Sequence, residues 1–384
     1  MKIILKLLAG MIAGILIGFY APDWSIRLLL TVYEAVGQLI KFTIPLIILF
    51  YITNGIASLP SGSGKLLSRT VAFAYGSTLI AGIAAFLVAS AVLPMISPQV
   101  AEAGKETATH SAFFNLEVPP LFGVISALVA AFVFGIGISA NNSETLRTVF
   151  AQGCDVIERL LGKVIIPLLP LYIAGVFAAM AADGSVFTTL QAFGKVLVLA
   201  IAMHWVWLAI LYIVTGILNG RSPLELIRNM MPAYFTALGT MSSAATIPVT
   251  LRSVKNAKVS DPIANFVVPL CANIHLSGST ITLVACSSAV MLMSTGNLPS
   301  LAAMLPFIMM LGVIMIAAPG APGGAVMSAL GLLTSMLGFN EQQIALMIAL
   351  YLAQDSFGTA TNVTGDGVIA VWMDKFFGKQ VAGN

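Results

Sequence analysis

Apolar runs of membrane-crossing length alternate with short polar connections along the whole chain, and each run predicts a helical span. Ile3 to Tyr20 is the first, short and containing glycine, and Leu28 to Ala57 is long enough to cross a bilayer with tilt to spare. Further spans are predicted over about Val71 to Ile96, Leu121 to Ser139, Ile157 to Ala182 and Leu190 to Leu218. The longest polar connection, Pro98 to Glu117, carries Glu102, Lys105, Glu106 and His110. His204, in AMHWVW, reads as a histidine satisfied at a helix interface rather than as a ligand.

From Pro223 onward the texture changes. The apolar runs are interrupted by MSSAATIPVT at 241–250 and by PGAPGGAVMS at 319–328. Each break lies near the middle of about 30 mostly apolar residues, too central for a loop between two full spans. Two re-entrant hairpins, about 222–256 and about 299–338, account for this pattern. Each precedes a span with polar residues at its centre, about 259–293 with LCANIHLSGST and about 341–376 with QDSFGTATNVTGD. Paired interrupted segments in corresponding positions are the signature of an inverted-repeat transporter, whose site is built from hairpin tips and broken helices.

Asp355, Thr359, Asn362 and Asp366 fall at spacings of four, three and four, forming one polar stripe on an apolar rod. Ionisable groups at membrane depth are costly and usually face a protein interior along a substrate or ion path.

Composition makes this a polytopic membrane protein: of 384 residues 59% are hydrophobic and 9% charged. The net charge of +3 is scattered, with no basic stripe, so nucleic acid binding has no support. Lys2 and Lys6 precede an apolar run without a clear cleavage site, so the first span is read as retained. Cys154, Cys271 and Cys286 lack metal spacing and read as packing residues. Gly64-Lys65 is not a phosphate loop, because Leu59 and Leu66 stand where a glycine and a hydroxyl are needed. With both termini cytoplasmic and both hairpins returning to their own side, the outer loops contain only Lys105 among the lysines and arginines. That fits an all-α protein of eight transmembrane helices plus two re-entrant helical hairpins, in a cell's inner (plasma) membrane.

Enzymatic chemistry finds little footing. Asp355 and Asp366 on one unbroken helix are about 16 Å apart along its axis and cannot share a proton. Ser242 and Ser243 have no histidine partner in an elbow motif. Binding chemistry fits better. Asp355 offers a negative partner for an ammonium group, while hydroxyls and amide N–H groups at Ser242, Ser243 and the 319–328 tip suit a carboxylate. Asn362 and Asp366, with carbonyls of the broken 270–280 segment, offer oxygens to sodium. Gly320, Gly323 and Gly324 serve close packing or gating, or both.

The ordered motifs SSAATIPVT, PLCANIHLSGST, PGAPGGAVM and QDSFGTATNVTGD resemble the dicarboxylate/amino acid:cation symporters, the glutamate transporter family. The resemblance covers essentially the whole chain, including GIASLP at the end of the second span. It implies a homotrimer working as an elevator, with the second hairpin as gate. Residues 1–60 (spans one and two) and 98–183 (spans four and five) would form a static scaffold. Residues 61–97 (span three) and 184–384 (spans six to eight and both hairpins) would form the moving transport domain. Ser242 and Ser243 match the first hairpin tip, Asp355 the aspartate holding the substrate amine, Thr359 a pocket threonine and Asn362 the residue binding the α-carboxylate. Ser279, Pro322, Gly323 and Gly358 complete the candidate substrate pocket. Asp366 matches a cation-binding aspartate, joined by Asn362, Cys271, Tyr75 and Thr78 as candidate sodium-site residues.

Two departures bear on specificity. Where acidic amino acid carriers of the family have an arginine for the side-chain carboxylate, this chain has Gly358, so a second substrate charge would be buried unpaired. A neutral amino acid is therefore expected. The QDS and SSAA motifs look most like bacterial serine/threonine symporters, so a small, serine- or threonine-like side chain leads. The family's seventh-span Asn-Met-Asp-Gly-Thr reads His275, Leu276, Ser277, Gly278, Ser279 here, so at least one sodium site should be weakened or absent. His275 is then either a proton carrier or a neutral imidazole in place of the amide, and coupling is to sodium, protons or both. The alternatives to a neutral amino acid symporter are an acidic amino acid or dicarboxylate symporter of the same family and an anion-conducting channel.

Overall fold

The computed structural model describes residues 2–57, 64–96, 111–114, 116–316, 318, 320 and 322–381. The SLP end of the second-span motif, the start of the 61–69 loop, most of the polar 98–117 connection and hairpin-tip positions 319 and 321 lie outside the described residues. Among the described residues every regular element is helical.

In chain order these are α1 (Lys2–Tyr20), α2 (Asp23–Ile47), a π-helical turn (Ile48–Ile52), α3 (Thr53–Ala57) and α4 (Gly64–Ile96). There follow α5 (Val124–Asn141), α6 (Glu144–Leu160), a second π-helical turn (Leu161–Ile165), α7 (Ile166–Ala182) and α8 (Val186–Asn219). The last group is α9 (Pro223–Thr240), α10 (Ser243–Asn256), α11 (Asp261–Ile274), α12 (Ser277–Thr295), α13 (Leu301–Met315), α14 (Gly324–Leu337) and α15 (Glu341–Val381). By length and composition, six described helical stretches suffice to cross a membrane: Asp23–Ala57, Leu66–Ile96, Val124–Asn141, Glu144–Ala182, Val186–Asn219 and Asp261–Thr295.

A proline accounts for the second π-helical turn: Pro167 lies just after it, and the N–H it lacks would have bonded to the Lys163 carbonyl inside the turn, so the ladder slips register there rather than ending the helix. The predicted start of a span at Ile157 thus falls within a longer helical stretch, Glu144–Ala182. Its first part, α6, is amphipathic and too polar to read as membrane-spanning, yet its Gly153 packs directly on the Phe50 ring.

One half of the molecule is organised by α1, α2 and α7. Gly10, Gly14 and Gly18 of α1 lie so close to the carbonyls of Pro170, Ala174 and Ala178 on α7 that a Cβ at any of them would overlap backbone. In the other half, α12 is buried at every residue from Ser277 to Val290, enclosed by α4, α8 and α15. Two helical pairs, α9–α10 and α13–α14, fold back on themselves at polar or glycine-rich tips, where the interrupted runs were expected. At the first tip Met241 takes a left-handed φ of 53° and the Ser242 side chain caps α10 by accepting from the Ala245 N–H at 3.2 Å.

Candidate functional site

The stripe on α15 lies on one unbroken 41-residue helix, and Asp355, Thr359, Asn362 and Asp366 are all buried. Each of the three longer side chains meets a different element.

Asp355 meets the tip of the α13–α14 pair. The Gly323 N–H donates to Asp355 Oδ2 at 2.7 Å, and Gly323 reaches it with a φ of +76°, a conformation open to glycine and strained for other residues. The buried Tyr351 hydroxyl, one turn earlier, lies near both Asp355 and Ser279. The two hairpin tips also touch: Ser242 Oγ donates to the Gly320 carbonyl at 2.6 Å. Ser243 follows in the first turn of α10 and is buried. Pro322, Gly323 and Gly324 face a cavity of about 510 Å³, whose other wall includes Tyr51, Glu158, Arg159 and Lys163 around the π-helical turns.

Asn362 joins α15 to α12. Its Oδ1 accepts from the N–H groups of Gly278 (2.7 Å) and Ser279 (3.2 Å), and its Nδ2 donates to Ser279 Oγ at 2.9 Å. The amide thereby satisfies two backbone donors that the start of a buried helix would leave orphaned.

Asp366 meets the break between α11 and α12. His275 follows the last residue of α11 with φ −112° and ψ 89°, which swings its ring out of the helical path. Its Nδ1 lies 2.9 Å from Asp366 Oδ1 and its Nε2 3.0 Å from Ser77 Oγ on α4. Gly365 makes room, since a Cβ there would come within 2.6 Å of the imidazole Cε1. A buried carboxyl group is costly unless it is hydrogen-bonded, and the imidazole supplies that partner. Asp366 Oδ1 and Asn362 Oδ1 are thus engaged by the protein, while the hydroxyls of Thr78 and Ser277 are buried without a partner in the structure. Hydroxyl and carboxyl oxygens are hard donors of the kind that a sodium ion takes.

His204, on α8, packs where a helix-interface histidine was expected. Its Nε2 lies 3.0 Å from both the Gly278 carbonyl and Thr282 Oγ1; a carbonyl only accepts, so Nε2 carries the proton. Gly358 faces the same stretch of α12: a Cβ there would lie 3.3 Å from Thr282 Oγ1 and 3.5 Å from Ser279 N. Position 358 is therefore closely packed against the backbone and one hydroxyl of α12, tight even for a methyl group.

Of two further candidates, one sits apart from this chain of contacts and the other borders it through its backbone. Tyr75 sends its hydroxyl to the Met309 carbonyl on α13 at 3.1 Å. Cys271 contributes its carbonyl to the His275 N–H at 2.9 Å, closing the end of α11, with its thiol buried. Sequence reasoning overlooked Ser77, Tyr351, Thr282 and the spatial need for Gly365. Ser77 stands between Gly76 and Thr78, and no periodic signal separates it from its neighbours.

Comparison with known proteins adds the following. A family model described as Sodium:dicarboxylate symporter family matches residues 3–376. The chain is 29% identical over 289 residues to Excitatory amino acid transporter 1 of Ambystoma tigrinum, covering 73% of this chain and 52% of that protein. It is 27% identical over 303 residues to Serine/threonine transporter SstT of Streptococcus suis (strain 05ZYH33), covering 74% of this chain and 81% of that protein. The match thus spans about half the length of the first relative and about four fifths of the second.

Proposed function

Since the chain belongs to the sodium:dicarboxylate symporter family, a family of multi-pass membrane proteins, we propose that it is a cation-coupled symporter importing a neutral, small, serine- or threonine-like amino acid. The observation that carries this reading is the contact between the buried Asp355 carboxylate and the Gly323 N–H. A negative group held under a hairpin tip, with no arginine at position 358, suits one ammonium and leaves no partner for a second carboxylate. The name of the Streptococcus suis relative supports the same substrate class.

In this reading Asp355 holds the substrate amine, and Ser242, Ser243, Ser279, Thr359 and Asn362 surround its carboxylate and side chain. The second hairpin, with Pro322 and Gly323 at its tip, closes over them. Cations enter near Asp366, Thr78 and Asn362, while the His275 imidazole occupies one face of Asp366. The scaffold is α1, α2, α3 and α5–α7, the moving body is α4 and α8–α15, and three copies assemble with both termini cytoplasmic.

The test is uptake of labelled serine into proteoliposomes under separately imposed sodium and proton gradients, with unlabelled amino acids as competitors. Saturable gradient-driven uptake blocked by serine and threonine but not by aspartate is expected. Uptake competed by aspartate would replace the neutral substrate with an acidic one, and anion currents without saturable uptake would replace the symporter with a channel.

A further inference from the structure

The first residue of α15 is gripped from three sides by α2 and α7. Lys41 on α2 forms an ion pair with the Glu341 carboxylate. Tyr172 on α7 donates its hydroxyl to the Glu341 carbonyl at 3.2 Å. The Tyr33 ring stacks on Tyr172 with centroids 4.9 Å apart, and Gly37 lies close enough that a Cβ there would come within 3.1 Å of Glu341 Oε2. Among the described residues, Glu34 is a further charged group near Glu341.

The axial position of this grip matters more than its strength. Lys41 lies 18 residues beyond Asp23, the start of α2, which is about 27 Å along the helix. Tyr172 lies 10 residues before Ala182, the end of α7, about 15 Å from it. Glu341, by contrast, is itself the end of α15. In the topology proposed above, Asp23, Ala182 and Glu341 all mark helix ends on the outer side. The outer end of α15 therefore lies level with the middle of the two helices that hold it.

We infer that Lys41 and Glu341 form a state-specific latch, made when the α15 body is displaced inward and broken when it moves outward. The inference rests on the elevator reading above for the motion, while the contact itself stands on geometry. Both partners keep water access, with side-chain exposures of 45% and 26%, so the pair is weak enough to open reversibly. When α15 rises, Glu341 leaves Lys41 for the outer end of α2, and the Tyr172 hydroxyl loses the carbonyl it holds.

The test is double electron–electron resonance in liposomes between spin labels at Trp24 and Met336, both exposed. The comparison is between an otherwise unaltered background and Lys41→Met, Glu341→Gln and the exchanged pair Lys41→Glu with Glu341→Lys. The expected result is two distance populations, the one matching this structure falling about twofold to fivefold in each single variant and recovering in the exchanged pair. A single fixed distance in all proteins, or two populations that the single variants leave unmoved, would overturn the latch. Labelled serine uptake by the same proteins separates the two ideas: shifted populations without uptake keep the latch and remove the symporter, whereas normal uptake with unmoved populations removes the latch alone.

Discussion

His275 and Asp366 face each other across the break between α11 and α12, Nδ1 to Oδ1 at 2.9 Å, with neither side chain more than 1% exposed. The partners stand 91 residues apart in the chain, and the ring's other nitrogen reaches Ser77, 198 residues away.

Breaking this pair from either side should be costly. His275→Ala or Asp366→Ala is expected to destabilise the folded protein by about 3 kcal/mol, because each leaves a buried ionisable partner uncompensated. The double variant should lose clearly less than the sum of the singles, by about 1 kcal/mol or more. Thermal unfolding in detergent measures this, and additive losses would mean that the two groups are energetically independent.

Asp355→Asn keeps an oxygen to accept the Gly323 N–H but removes the charge. Hairpin docking should therefore survive while affinity for a neutral amino acid falls by about thirtyfold or more. Calorimetric titration checks the affinity, and retained binding would deny Asp355 its role as amine anchor.

Gly323→Ala places a Cβ on a residue with φ +76° and brings it to 3.0 Å from Leu352. A left-handed non-glycine residue costs about 1–2 kcal/mol, so the tip should loosen from Asp355. Faster hydrogen exchange over 322–327 is the expected observation, with exchange elsewhere on α15 unchanged.

Gly278 and Gly358 should respond very differently to added bulk. A Cβ on Gly278 overlaps the Gly358 carbonyl and comes within 2.6 Å of Thr361 Cβ, whereas one on Gly358 meets its nearest neighbour at 3.3 Å. Gly278→Ala is expected to cost about 1–3 kcal/mol in stability, and Gly358→Ala less. Gly358→Arg should admit acidic amino acids in competition uptake if position 358 borders the substrate side chain.

The run lengths of apolar residues made most helices legible, and the position of proline- and glycine-rich breaks made both folded-back pairs legible. The continuity of α6 with α7 was not, because ETLRTVFAQGCDVIERL carries the polarity of a surface helix, buries only Phe150 and Ile157, and seats its Gly153 on Phe50, about 100 residues away in sequence. Asp355, Asn362 and Asp366 were legible as a stripe, since helical spacing is local. Their pairings were not. Gly323, Ser279 and His275 are each legible as candidates, but they come from other elements, and nothing in a one-dimensional pattern tells which of them meets which stripe residue or which oxygen of Asn362 or Asp366 is already occupied. Ser77 shows the limit well: its neighbour Thr78 fits a motif, yet Ser77 is the residue that reaches the imidazole.

The close contacts of α1 with α7 repeat every four residues on both helices, Gly10 with Pro170, Gly14 with Ala174 and Gly18 with Ala178. Each glycine is seated in a notch bounded by a carbonyl, so the two rods mesh like toothed racks. A slip by one or two residues would drive the side chains flanking each glycine into main chain, and the next matching register lies a full four residues, about 6 Å, along the axis. Small axial shear is therefore denied to this seam, and any vertical travel in the molecule has to be taken up where the surfaces are smooth.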